Sequence, residues 1–339
     1  MSNNKRALIT GITGQDGSYL AEFLYEKGYQ VHGITRQPPP PSHQDYIFHQ
    51  TDLSDSWGLQ KIIGEVQPDE IYNLGAISNE KQSFERAEYT LNINGLMVLD
   101  LLEIIRCRHP KTRLFQAASS ELFGKASHMP QNETTTFRPR SPYGIAKLYA
   151  YWSIVNYREA YSLYACNGIL FNHESPRRGE LFVTRKIAQG AVRIKNGLQE
   201  KLLLGNLDVQ RDWGYAKDFV EAMWLMLQQN QAEDFVLGTG KLVSVRQFVE
   251  IAFAAAGISI AWQGIGPQEK GIDRNTGKIC IEISPLFYRP NEEIPLVGDS
   301  AKAQKKLLWS AKTTVEQLIH LMVENEKTAL TNPIQCLQD

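Results

Sequence analysis

Arg6-Ala-Leu-Ile-Thr10 runs directly into Gly11-Ile-Thr-Gly14-Gln-Asp-Gly17, and that junction decides the fold. The apolar run after a basic start predicts a short buried strand. The glycines predict a tight turn, and Tyr19, Leu20, Phe23 and Leu24 then recur at helical spacing. Gly28 ends the helix and Tyr29–Thr35 forms the next strand. Strand, glycine turn, helix and strand make a dinucleotide-binding unit: the glycines let backbone approach a pyrophosphate, and the helix N-terminus favours its charge. The spacing is G-x-x-G-x-x-G rather than G-x-G-x-x-G, and a tight turn without a ligand is the alternative.

The end of the second strand chooses the cofactor. A carboxylate there would hold a ribose 2′-hydroxyl. The chain instead reads Gly33-Ile-Thr-Arg36-Gln37, so Arg36 favours a 2′-phosphate and NADP, the alternative being a solvated surface arginine. After the strand Tyr46–His49, Asp52 and Leu53 are placed to meet the adenine edge.

Strands at Ile71–Leu74, Arg113–Ala117 and Tyr164–Phe171 alternate with helices at about 91–106 and 143–161. This predicts an α/β protein with a Rossmann-type doubly wound parallel sheet. Helices at about 184–195, 216–229 and 245–256, separated by short strands and loops, predict a smaller mixed α/β substrate-binding domain. The expected division is residues 1–171, with 212–240 returning to that unit, and 172–339. The residues from about Lys327 onward read as frayed or loosely docked, and the run Pro38–Pro41 as a stiff surface turn.

The chain has 339 residues, 42% of them hydrophobic, enough for a sizeable core. A net charge of −1 offers no field for nucleic acid or an anionic membrane. No apolar run approaches the ~18–20 residues of a membrane span, and the first residues lead straight into a strand without a secretion signal. Cys107, Cys166, Cys280 and Cys336 lack metal-ligand or C-x-x-C spacing, the seven histidines show no zinc pattern, and a reducing cytoplasmic setting without a metal is expected.

The chemistry concentrates after the strand Arg113–Ala117. Strand ends at the carboxyl edge of an open α/β sheet carry the site. Ser119 there can bridge a substrate hydroxyl, and Glu121 supplies a carboxylate; turn and helix-start roles are the alternatives. Tyr143 and Lys147, in Ser141-Pro-Tyr-Gly-Ile-Ala-Lys147, share one helix face. A phenol of pKa ~10 is a poor base at neutral pH, and a neighbouring ammonium is expected to lower it. Ordinary helix surface is the alternative for this pair taken alone.

Together these motifs resemble the extended short-chain dehydrogenase/reductases, and most closely the GDP-mannose 4,6-dehydratase family. The resemblance is carried by Thr10-Gly-Ile-Thr-Gly-Gln-Asp-Gly17, Ser119-Ser-Glu121, Ser141–Lys147, Asn172-His-Glu-Ser-Pro-Arg-Arg-Gly179, Gly205-Asn-Leu-Asp208, Arg211-Asp-Trp-Gly214 and Tyr288-Arg-Pro290. It implies that Gly11, Thr13, Gly14, Gln15, Asp16 and Gly17, then Arg36, Asp52 and Leu53, then Leu74, Gly75, Ala76, Ser78 and Tyr89, line the NADP site. Tyr143, Lys147, His173 and Arg178 are implied as further contacts. Ser119, Tyr143 and Lys147 are implied to activate a hydroxyl, and Glu121 to be the dehydratase carboxylate. Ser83, Asn172, Val183, Lys186, Arg211, Arg289 and Glu292 are implied to hold a GDP-sugar.

The implied reaction is internal oxidation and reduction through NADP, loss of water, and a 4-keto-6-deoxy product, in a homodimer or homotetramer. Ser119 stands where the family usually has threonine. Gly75-Ala-Ile-Ser-Asn-Glu-Lys81 replaces its usual Ala-Ala-Gln-Ser-His-Val, and Gln37-Pro38 replaces a second arginine and serines. A GDP-heptose 4,6-dehydratase, an NADP-dependent sugar-nucleotide epimerase or reductase, and an NADP-binding sensor are the alternatives. The carboxylate at 121 separates dehydration from epimerisation or ketone reduction, and retention of both Tyr143 and Lys147 argues against a sensor.

Overall fold

The computed structural model describes residues 4–38, 45–288 and 295–331. Its centre is a seven-stranded sheet, parallel throughout. The strands are β1 (Arg6–Thr10), β2 (Gln30–Thr35), β3 (Ile47–Gln50), β4 (Glu70–Asn73), β5 (Arg113–Ser119), β6 (Ala165–Leu170) and the segment Phe235–Leu237. Their spatial order is Phe235–Leu237, β6, β5, β4, β1, β2, β3. The order reverses between β1 and β4, which opens a crevice at their carboxyl ends.

Helices cover both faces, so the inner strands read as unbroken apolar runs. Side-chain alternation divides the core. Ala7, Ile9, Tyr72 and Phe115 pack with Leu20, Leu24, Phe219 and Met223 of helices Gln15–Glu26 and Ala216–Leu227. Leu8, Ile71 and Leu114 face the other way, onto helices Ser56–Val66, Met97–Arg108 and Pro142–Tyr161. Each buried leucine, isoleucine, phenylalanine or methionine among them contributes about 1.5–3 kcal/mol.

The expected helix at 91–106 is divided. Ala87–Leu91 and Met97–Arg108 are α-helical, but Asn92–Leu96 between them is a wider π-turn. Asn94 in that turn is buried; its Oδ1 accepts from Ile77 N at 2.8 Å and its Nδ2 donates to Ile77 O at 3.0 Å. A π-turn thereby fixes the loop after β4, at the mouth of the crevice.

Beyond β6 lies a second apolar core. Strands Ile260–Gln263, Lys270–Asp273, Ile279–Ile283 and Leu202–Leu204 form a four-stranded sheet in that order. Helices Val183–Lys195, Val245–Ala255 and Val315–Thr331 pack with it around Phe248, Phe253, Ile281 and Met322. Asp212 ties this part to the main sheet. Its carboxylate accepts from the backbone of Thr239, Gly240 and Gly298 at 2.9–3.0 Å and from Thr239 Oγ1 at 2.5 Å.

The expected fraying from Lys327 does not occur within the described residues: the last helix runs to Thr331. Glu326 is buried beside Arg185 at 2.8 Å, and Lys327 Nζ donates to Ala255 O at 2.8 Å. No helix among the described residues is long and apolar enough to cross a membrane.

Candidate active site

The glycine loop follows from close backbone approach. Gly11 has φ +69°, and a Cβ there would sit 2.8 Å from Gly75 Cα. A Cβ on Gly17 would sit 2.2 Å from Gly11 O, so no larger residue lets helix Gln15–Glu26 begin so close to β1. Thr10 Oγ1 accepts from Leu74 N at 3.1 Å and Gly75 N at 2.9 Å, and donates to Asn73 Oδ1 at 2.6 Å. The two loops form the floor of a cleft of about 460 Å³.

Gly11, Thr13, Gly14, Gln15, Asp16 and Gly17 line this cleft. So do Arg36, Asp52, Leu53, Leu74, Gly75, Ala76, Ser78, Tyr89 and Arg178. The cradle that a Cβ would fill and the helix N-terminus beside it fit a pyrophosphate. The ribose end carries Arg36 and Tyr89, with Arg36 Nη1 3.4 Å from the tyrosine hydroxyl. Asp52 is engaged locally, accepting from Ser54 N at 2.8 Å and Ser54 Oγ at 2.6 Å. Those bonds, with a smaller effect of Arg36, hold its carboxyl below the usual range.

Sequence reading missed part of the wall: Ile34, Thr35, Thr51 and Ile93, and also Arg177, Gly179 and Phe182. The last three stand inside or just after the Asn172–Gly179 run, which was the available signal. Arg178 lies on the Phe182 ring, 3.6 Å from its centre, and its Nε is 3.0 Å from Glu174 Oε2. Buried Glu174 also accepts from Thr184 Oγ1 at 2.6 Å.

His173 stands apart from the cleft wall, behind Asp16. Its Nε2 is 2.8 Å from Asp16 Oδ2, its Nδ1 2.7 Å from Phe171 O, and its ring stacks on Phe219. Both partners are acceptors, so both ring nitrogens donate and the imidazole is cationic. Burial opposes that charge, but Asp16 outweighs it and raises the His173 pKa. Asp16 is likewise held low against its burial, chiefly by His173.

Ser119 ends β5, Glu121 lies in the following 3-10 turn, and Tyr143 and Lys147 occupy the first two turns of helix Pro142–Tyr161. That helix begins as its sequence dictates: Ser141 Oγ accepts from Gly144 N at 3.1 Å and Pro142 takes the first turn. Ser119 Oγ accepts from Glu121 N at 3.2 Å.

The expected lowering of the phenol by its ammonium is corrected here. Burial pushes the Tyr143 phenol up to about 12; the Ser119 hydroxyl opposes this and the Glu121 charge adds to it. Burial also pushes Lys147 down to about 8. Its Nζ donates to Ala117 O at 2.7 Å and stands 5.9 Å from the centre of the Tyr143 ring. Serine, phenol and carboxylate therefore sit within mutual electrostatic reach, with the lysine anchored beneath them.

The expected substrate residues are spread more widely. Asn172 pairs with Trp213, Val183 opens its helix, and Lys186 Nζ is 5.0 Å from the centre of the Phe287 ring. Arg211 pairs with Val243 through its backbone and donates from Nη1 to Gln210 O at 2.9 Å. Ser83 is fully buried: its hydroxyl donates to Glu80 O at 2.6 Å and accepts from Tyr143 N at 3.2 Å. It therefore supports Tyr143 rather than facing solvent. Arg289 and Glu292 lie outside the described residues.

The family model described as GDP-mannose 4,6 dehydratase matches residues 8–322. A GDP-mannose 4,6-dehydratase of Vibrio cholerae is 50% identical over 345 residues, covering 94% of this chain and 93% of its own. The GDP-mannose 4,6 dehydratase of Homo sapiens is 51% identical over 345 residues, covering 96% and 93%. Among solved structures, a UDP-glucose 4-epimerase of Thermotoga maritima with UDP-glucose is similar at TM-score 0.81 and 23% identity, covering 96% of this chain and 99% of its own. RMD of Pseudomonas aeruginosa complexed with NADPH is similar at 0.79 and 22%, covering 96% and 99%. A dTDP-glucose 4,6-dehydratase of Bacillus anthracis in complex with NAD is similar at 0.78 and 19%, covering 98% and 99%. At these identities the structural likeness concerns the fold.

Proposed function

The chain belongs to the GDP-mannose 4,6-dehydratase family, a hydro-lyase acting on GDP-mannose, and we propose that its reaction runs through NADP to GDP-4-keto-6-deoxymannose. The observation that carries the reading is the cluster of Ser119, Glu121 and Tyr143 at the carboxyl end of β5, beside the dinucleotide-shaped cleft.

The glycine loop Gly11–Gly17, with Arg36 and Arg178, would hold NADP, which would supply a hydride acceptor and donor for an internal oxidation at sugar C4 and reduction at C6. Tyr143 removes the proton of the sugar 4-hydroxyl, and Ser119 orients that hydroxyl and eases ionisation of the phenol. The 4-ketone acidifies the C5 proton. Glu121 takes it and passes it to the departing 6-hydroxyl, which leaves as water. The proton held at Tyr143 balances the one delivered to C5, so the net change is loss of one water. Lys147 holds the floor of the site through Ala117. The absence of a carboxylate at the end of β2, with Arg36 in its place, supports NADP over NAD.

Asn172, Val183, Lys186 and Arg211 are assigned to the GDP-sugar; a guanidinium offers paired donors suited to a diphosphate. A homodimer is supported by the exposed Ile145, Tyr149 and Trp152, which line one shallow apolar hollow with Leu148 and with Leu99 of the neighbouring helix. The free thiols Cys107, Cys166 and Cys280 support a reducing cytoplasmic setting. The reading is tested by incubating the protein with GDP-mannose and following mass: loss of one water supports it, and unchanged sugar nucleotide contradicts it.

A further inference from the structure

We propose that Arg86 is the second cation of the ribose-phosphate site and, with Arg36, selects a dinucleotide bearing a 2′-phosphate. This rests on the NADP reading above. Tyr89 belongs to the cleft wall, and its hydroxyl is met by Arg36 Nη1 at 3.4 Å. The Arg86 guanidinium lies on the face of the same ring, 4.4 Å from its centre. One tyrosine of the cleft wall thus contacts two guanidinium groups, Arg36 within the wall and Arg86 on the ring face, from segments 50 positions apart.

Arg86 is exposed at the junction of two short helices, Glu80–Glu85 and Ala87–Leu91. Its backbone is fixed on both sides: Arg86 N donates to Gln82 O at 3.0 Å and Thr90 N to Arg86 O at 2.9 Å. Among the described residues, neither Arg36 nor Arg86 is in a salt bridge, and the nearby Asp52 carboxylate is already engaged by Ser54. Two like charges gathered on one aromatic ring repel each other, and a dianion between them removes that repulsion. A phosphate monoester suits this place, since it offers several acceptor oxygens to forked donors. Local sequence provides no other second cation, because Gln37 follows Arg36. The arrangement makes Arg86 a specificity residue that touches the cofactor.

Calorimetric titration with adenosine 2′,5′-bisphosphate and with 5′-AMP tests this on the full chain and its Arg86→Ala, Arg86→Lys and Arg36→Ala variants. Arg86→Ala is expected to weaken the bisphosphate about tenfold, the scale of one charge-assisted hydrogen bond, and to leave 5′-AMP unchanged. Arg86→Lys is expected to keep part of the preference. Equal weakening of both ligands would assign Arg86 a packing role through Tyr89 and overturn the proposal. Unchanged bisphosphate binding, with the parent chain and Arg36→Ala still differing, overturns it while sparing the NADP reading. A parent chain that binds both ligands alike removes the NADP reading and the role of Arg86 with it.

Discussion

His173 Nε2 and Asp16 Oδ2 meet at 2.8 Å, joining the first turn of the glycine-loop helix to a strand 157 positions away. The pair has two effects. It neutralises a carboxylate that would otherwise oppose an anionic pyrophosphate at the helix N-terminus, and it locks the loop to the part of the chain that carries Arg178. His173 acts through Asp16 and is a positioning residue.

His173→Asn is expected to cost about 2–3 kcal/mol of stability, less than for a fully enclosed pair, because Asp16 keeps 22% of its side-chain surface exposed. The pH dependence follows from the two shifts. His173 is raised, so its contribution is complete below 6.5 and is lost as pH rises through the folded value. Asp16 is lowered, so its contribution is complete above 3.8 and is lost as pH falls through the folded value. Urea unfolding should show the parent chain's advantage over His173→Asn greatest between these limits. A difference independent of pH would contradict the ion pair.

Ser119→Ala is expected to slow the first oxidation by about 10–100-fold, within the range of general acid–base effects. It should also move the rising limb of the rate profile, where the phenol ionises, to higher pH, since the hydroxyl opposes the burial that raises the Tyr143 phenol. The measurement is single-turnover reduction of bound NADP followed by absorbance across pH. A slower rate with an unmoved limb would leave Ser119 a role in orientation only.

Glu174 places Arg178 and holds Thr184 at the start of the helix that carries Val183 and Lys186. Glu174→Ala is expected to raise KM for both NADP and GDP-mannose about tenfold with a smaller change in kcat, because one carboxylate serves both sides of the site. Glu174→Gln keeps an acceptor oxygen and is expected to recover most of the loss. Steady-state kinetics decide it; a loss confined to kcat would contradict a positioning role.

Trp152 is 56% exposed and lines the apolar hollow. Trp152→Asp is expected to convert a dimer to monomers while leaving thermal unfolding of the monomer nearly unchanged. Sedimentation velocity checks this, and an unaltered oligomer would remove the hollow from the interface.

Local signals were legible where one short segment makes its own structure. Gly11–Gly17 shapes its loop by backbone approach, and Ser141-Pro142 starts its helix by capping, so the crevice and the place of Tyr143 could be read directly. Contacts between distant segments could not. Nothing near Ser83 announces that its hydroxyl is used by Tyr143, and nothing near His173 names Asp16. The phenol's shift was misjudged for a related reason: charge spacing along a helix is visible in sequence, whereas desolvation depends on everything packed around it. The four-stranded sheet escaped because strands such as Ile260–Gln263 are short and half-buried, without clean alternation. The residues from Lys327 read as a fraying end because they come last, yet the Lys327 ammonium is held by Ala255 on another helix.

The most direct measurement concerns Glu121. In Glu121→Gln, the protein should still bind NADP and still reduce it on addition of GDP-mannose, while release of 4-keto-6-deoxy product, followed by mass, falls at least about a hundredfold. A variant that forms this product at the parent rate would show that the C5 proton leaves by another route, and the assignment of the carboxylate at the end of β5 would be wrong.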